Sequence, residues 1–178
     1  DSAMVRSKEV RLSQRVDQIK RTKVSRLQSG EPALYISSVF HDSAIVTDVL
    51  TFQNGRLTNL NSGGKLSYSV ETLRNYYLYM EDIDDDGIME MPSLMEIRPA
   101  PNQADAKPQQ LVYWYAIDSE GYEIQKAFTF HNVDGGWYLL LKMDALAVER
   151  LAVAKESGGY TFYLWDETGT SAVALFSI

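Results

Sequence analysis

The chain contains no cysteine, which removes a disulfide framework, a thiolate metal site and a cysteine nucleophile at once. Histidine is scarce too: two residues, His41 and His131, leave little for histidine-rich metal centres or repeated proton relays. No apolar run approaches the roughly 18 residues of a membrane-crossing helix, so no transmembrane segment is expected. Nucleotide and hydrolase signatures are missing, with no G-x-S-x-G, no H-E-x-x-H and no G-x-G-x-x-G after a strand. Gly63-Gly64-Lys65 is followed by Leu66, not by the Ser or Thr of a phosphate-binding loop. His41-Asp42-Ser43 holds the residue types of a hydrolase triad, but three neighbours in a turn cannot form its hydrogen-bonded line, and turn chemistry accounts for them. His131 reads as a surface residue at a strand end. No catalytic residue is assigned, and an enzyme is not expected.

What is present begins with 178 residues, 45% of them hydrophobic, enough for one ordinary domain or two very small ones. The net charge of −7 is unevenly spread. Arg6, Lys8, Arg11, Arg15, Lys20, Arg21, Lys23 and Arg26 face only Asp1, Glu9 and Asp17 in the first 30 residues, a balance of +5 against −12 for the rest. An acidic body repels phosphate, and the basic segment has no aromatic residue for stacking, so nucleic acid is not an expected partner. Val5, Leu12, Val16, Ile19 and Leu27 recur at helical spacing, with Val24 off the stripe. They predict an N-terminal amphipathic helix within residues 1–30, stopped by Gly30 and Pro32 and lying against the acidic body.

From residue 31 the pattern turns to β. Ala33–Phe40, Ala44–Phe52 and Arg56–Leu60 are short strand-like runs, the last two joined by a hairpin signal at Asn54-Gly55. Asn61–Lys65 reads as a loop, Tyr68–Met80 as a strand with a helical turn as the alternative over Val70–Asn75, and Ile88–Ile97 as a strand interrupted by Pro92. Residues 99–109, with Pro99, Pro101 and Pro108, form a proline-rich connector between a first β unit (31–98) and a second (110–178). The second contains Leu111–Ile117, Tyr122–Phe130 and Trp137–Met143. A helical turn at Asp144–Val148 precedes Arg150–Lys155, Tyr160–Trp165 and Ala172–Ile178. Leu111–Ile117 and Trp137–Leu141 carry no charge on either face. That suits strands covered on both sides, as in stacked sheets, better than a simple sandwich.

The sharpest feature is Glu81-Asp82-Ile83-Asp84-Asp85-Asp86-Gly87-Ile88-Met89-Glu90, six acids in ten residues. Ca²⁺ takes six to eight hard oxygens, and carboxylates at alternate positions can wrap one ion with Asp82, Asp84 and Asp86. Gly87 permits the sharp turn, the carbonyl of Ile88 supplies a further oxygen, Glu90 closes the shell directly or through water, and Asp85 points to solvent. Mg²⁺ fits less well because it keeps several waters. The loop is not an EF-hand, since position 12 is Ser93 and the flanks read as strands. A solvated acidic turn without a metal is the alternative.

Tyr79–Pro92 resembles the D-x-D-G-D-G-x-x-E-I-P signature of FG-GAP and VCBS-type calcium-binding repeats, of the kind found in secreted lipoproteins of Gram-positive bacteria. Asp82, Asp84, Asp86 and Glu90 match its ligand positions, Asp85 replaces a glycine at a non-ligand position, and Met91-Pro92 matches its tail. The resemblance covers about fourteen residues. It implies a mainly β fold of antiparallel meanders in a propeller-like array. It also implies structural Ca²⁺ and an extracellular or cell-surface setting, with lipid anchoring in the precursor. Some ten strands make two or three blades, fewer than a closed propeller requires, so a piece of a larger protein or an open array is expected. The partner stays open, a cell-surface protein or a glycan being the classes that suit the setting. Two other functions compete: a carbohydrate-binding domain using Tyr113, Trp114, Tyr115, Trp137, Tyr138, Tyr163 and Trp165, and a carboxylate-dependent hydrolase, for which a metal-engaged cluster is a poor general acid.

Overall fold

A computed structural model describes residues 9–13, 17–41, 43–63 and 72–178. Twelve strands and two single-turn helices are assigned among them. The first sheet is a meander of β1 (Gln18–Arg26), β2 (Pro32–Phe40), β3 (Ala44–Gln53) and β4 (Arg56–Asn59), with every neighbour antiparallel. Asn54 and Gly55 both take positive φ (51° and 74°), which matches the twist of the β3–β4 hairpin. Helix α1 (Leu60–Gly63) follows. A second sheet has the order β5 (Met91–Glu96), β7 (Gln110–Ile117), β8 (Glu123–Asn132), β9 (Trp137–Leu141). The third runs β12 (Ala172–Ser177), β11 (Gly159–Trp165), β10 (Leu151–Glu156), β6 (Arg98–Pro99). There the short β6 pairs parallel to β10, and the other pairings are antiparallel. Between β9 and β10, Asp144 caps α2 (Ala145–Val148), its Oδ1 accepting from the Ala147 N–H at 2.7 Å.

The predicted mainly β fold is therefore present, and its hairpins lie close to their expected places. One element is corrected. Within the span expected as an N-terminal helix, Gln18–Arg26 is a strand, paired with β2 from Gln18↔Val39 to Arg26↔Pro32. Both faces of β1 are largely exposed, so no apolar alternation marks it, and its stability comes from backbone pairing along the edge of β2. Residues 1–8 and 14–16 of that prediction lie outside the described residues, as do 64–71 of the expected 61–65 loop and Tyr68–Met80 strand. From 72 to 80 the chain is irregular, with a single antiparallel bridge between Arg74 and Ile45. β7 is covered on both faces as expected, whereas β9, at the edge of the same sheet, is only half-covered.

The chain divides into two compact units. One holds the chain up to Ser93 together with Trp114–Lys126, and the other holds Leu94–Tyr113 and Ala127–Ile178. The first buries Leu27, Tyr35, Ile45, Met80, Met91 and Ile117 completely, and it carries the acidic loop. It also buries a polar set in which Asp48 accepts from Asn59 Nδ2 and from the N–H (2.9 Å) and hydroxyl of Ser13. The second unit is built on Phe130 and Phe162, whose rings meet edge-on at 5.2 Å, with Leu111, Phe128, Leu151, Val153 and Tyr160 around them.

Candidate metal centre

The acidic loop is pinned at both ends. Glu81 and Glu90 exchange backbone hydrogen bonds (3.0 and 2.9 Å), closing its neck as a small antiparallel bridge. Ile88 bridges parallel to Arg26 of β1, and the Ser25 hydroxyl donates to the Gly87 carbonyl at 3.2 Å. The Arg21 guanidinium meets the Glu81 carboxylate at 3.1 Å. At this ion pair the basic N-terminal segment, expected as a helix against the acidic body, touches the acidic loop through a strand.

Inside the neck the chain turns back through its own carboxylates. Asp82 Oδ1 accepts from the Asp86 N–H and Oδ2 from the Gly87 N–H, each at 3.0 Å, and Asp86 Oδ1 accepts from the Ile88 N–H at 2.8 Å. Asp85 and Gly87 take positive φ (60° and 82°), the conformation that reverses the chain and that Gly tolerates without a Cβ penalty. Asp82, Asp84 and Asp86 consequently present carboxylate oxygens within 4.8 Å of one another. Asp85 is exposed, as Asp84 and Asp86 are, and it stands outside the cluster of three.

Glu90 is separate from that cluster of three but lies beneath the same loop. Its side chain is wholly buried, and Oε2 accepts from the N–H of Ile83, the residue between Asp82 and Asp84, at 3.0 Å. Oε1 has no hydrogen-bond partner among the described residues. Burial pushes the Glu90 carboxyl up to about 7; the Ile83 N–H opposes the shift, and the charges of Asp84 and Asp86 add to it. Ile88 stands at the loop exit, where its N–H holds Asp86 in place.

One participant escaped the sequence reading. Lys126, from the first half of β8, places its ammonium against Asp86 Oδ2 and 3.2 Å from Gln28 Oε1. Partial burial alone would raise the Asp86 carboxyl, but the Lys126 contact and the Ile88 N–H outweigh it and hold the group below its ordinary value. Desolvation alone would lower Lys126, but Asp86, with Asp84 and Glu90 behind it, holds it above. Lys126 lies forty residues beyond Asp86 in sequence, and no local motif links them.

No family profile, curated relative or solved structure matches this chain.

The donor chemistry is that of a site for a hard cation. All the side-chain donors are hard carboxylate oxygens, and the oxygens that accept one N–H keep a second lone pair for a metal. The buried Glu90 Oε1 is an acceptor lacking a donor, which a cation would satisfy. The other candidates gain less from the structure. His41, at φ 47°, and Ser43 meet through a turn in which the Ser43 N–H donates to the His41 carbonyl at 2.8 Å; Asp42 lies outside the described residues. His131 is half-buried, where a surface position was expected, and it hydrogen-bonds Thr129 Oγ1 at 2.7 Å and stacks on Tyr138 at 5.4 Å. Of the aromatics, Trp114 and Tyr115 are buried, Tyr113, Trp137, Tyr163 and Trp165 are half-buried, and Tyr138 is 55% exposed.

Proposed function

We propose that the chain is a non-catalytic, calcium-stabilised β module of a secreted or surface-anchored bacterial protein. Asp82, Asp84 and Asp86, the Ile88 carbonyl and Glu90 hold the ion. The observation that carries this reading is the convergence of three carboxylates within 4.8 Å on one loop, above a buried glutamate with an unpartnered oxygen. Held so close without a metal, those charges repel one another, and a divalent cation relieves the repulsion within a loop whose neck is already closed. The bacterial, extracellular setting follows from the resemblance to FG-GAP and VCBS-type repeats and from the millimolar calcium such modules are tuned to. A propeller-like array belongs to the same proposal. Three four-stranded sheets support it, and the parallel β6–β10 pairing departs from a simple blade.

Calorimetric titration of chelator-treated protein tests the reading. Heat of binding at submillimolar to millimolar Ca²⁺ is expected. Free calcium at one to ten times Kd adds about 0.4–1.4 kcal/mol of stability. Asp84→Asn should weaken the response, and an unchanged melting temperature with no heat at millimolar Ca²⁺ would remove the proposal. A glycan-binding role has one specific support, the exposed Tyr138 ring stacked on His131, and a glycan array without hits would dismiss it.

A further inference from the structure

We infer that Lys126 is a built-in competitor for the calcium loop, a tethered cation that neutralises Asp86 when calcium is scarce and sets how tightly the loop binds the ion. The inference rests on the calcium reading above. The site is more than an acidic cluster, because Glu90 is wholly buried, reaches the Ile83 N–H beneath the loop and keeps one oxygen without a donor.

Asp86 has two carboxylate oxygens, and both are engaged: Oδ1 by the Ile88 N–H and Oδ2 by the Lys126 ammonium. A metal that takes an oxygen from Asp86 must either displace Lys126 from Oδ2 or share the carboxylate with a positive charge beside it. Displacement forfeits a charge-assisted hydrogen bond, and sharing sets like charges close together. In either case calcium binds more weakly than the loop alone would allow. The ammonium is also held in position, since Gln28 Oε1 accepts from it on a second side and only 14% of the Lys126 side chain is exposed. With the metal absent, the same contact supplies one positive charge to a crowded set of carboxylates and keeps the loop attached to β8. The loop thus retains a counter-ion across the calcium range, at the expense of affinity.

Calcium titration of Lys126→Gln and Lys126→Met beside wild type and Lys126→Arg tests this; Met keeps the packing of the aliphatic stem if Gln impairs folding. Removing a unit positive charge that competes for Asp86 is expected to tighten binding by roughly tenfold, the scale of a like-charge contact under solvent-like screening. Lys126→Arg should stay near wild type. In excess chelator the two neutral variants should melt below wild type, since the loop has lost its counter-ion. If folded neutral variants bind calcium no more tightly than wild type, the competitor role is overturned while the calcium site stands. If no protein in the series binds calcium, both fall.

Discussion

Glu90 shows how a single residue can reverse its contribution according to what sits above it. Its folded-state pKa, about 7, lies above the value of 4.5 ordinary for the group, so the native protein holds a proton that the unfolded chain releases across that interval. Stability from this residue in the metal-free protein is full below about pH 4.5 and is lost as pH rises through about 7, a change on the order of 1–3 kcal/mol. On the calcium proposal the ion needs the ionised carboxylate, so the stabilisation it adds grows over the same range. Denaturant melts in chelator from pH 4.5 to 7.5 should therefore show stability falling with pH, and the same series in calcium should show the fall reduced. Glu90→Gln should flatten the chelator series and abolish the calcium response. A parallel decline in wild type and Glu90→Gln would place the effect elsewhere. The convergence of Asp82, Asp84 and Asp86 was legible in the sequence because the three fall within five positions and their alternate spacing itself carries the geometry. Lys126 was not, since its contact with Asp86 exists only once β8 has been laid beside the loop.

Strand edges explain both the success and the failure of reading elements from sequence. Hairpins such as β3–β4 announce themselves locally, through Asn54-Gly55 between β-type runs, and α2 is marked by Asp144 at its cap. β1 has no such marker. It is exposed on nearly every residue, so burial imposes no alternation, and the chance spacing of its aliphatic residues reads as a helix. Its Lys20, Arg21, Lys23 and Arg26 suit an edge strand, where charge discourages pairing with another chain. β12 occupies the edge of its own sheet with no charged residue, no proline and no glycine, and Val173, Leu175 and Phe176 are all exposed. Such an edge is prone to intermolecular pairing when the protein is heated or concentrated. Leu175→Lys should delay heat-induced light scattering while changing unfolding free energy by no more than about 0.5 kcal/mol, as expected of an exposed position. Equal scattering from the two proteins would mean that aggregation begins at another segment.

At the scale of the whole molecule, the proposed calcium ligands, Lys126 and Gln28 all belong to the same compact unit, the one that also holds β1 to β4. The aromatic core around Phe130 and Phe162 belongs to the other. Ligand binding slows hydrogen exchange only where the opening reaction breaks the bound site, and there by the factor one plus the ratio of free ligand to Kd. Free calcium at one to ten times Kd should therefore slow exchange by about 2- to 11-fold in such segments. The amides expected to respond are those of Glu81 and Glu90 at the loop neck, Ile83 over the glutamate, and Asp86 to Ile88 within the turn. Amides of β10 and β11, paired from Leu151↔Leu164 to Glu156↔Gly159, should exchange at the same rate with and without calcium if the two units open independently. Slowing of both sets by the same factor would instead mean that they open in one cooperative step. In that case the calcium ion stabilises all of the described strands through a loop that touches few of them.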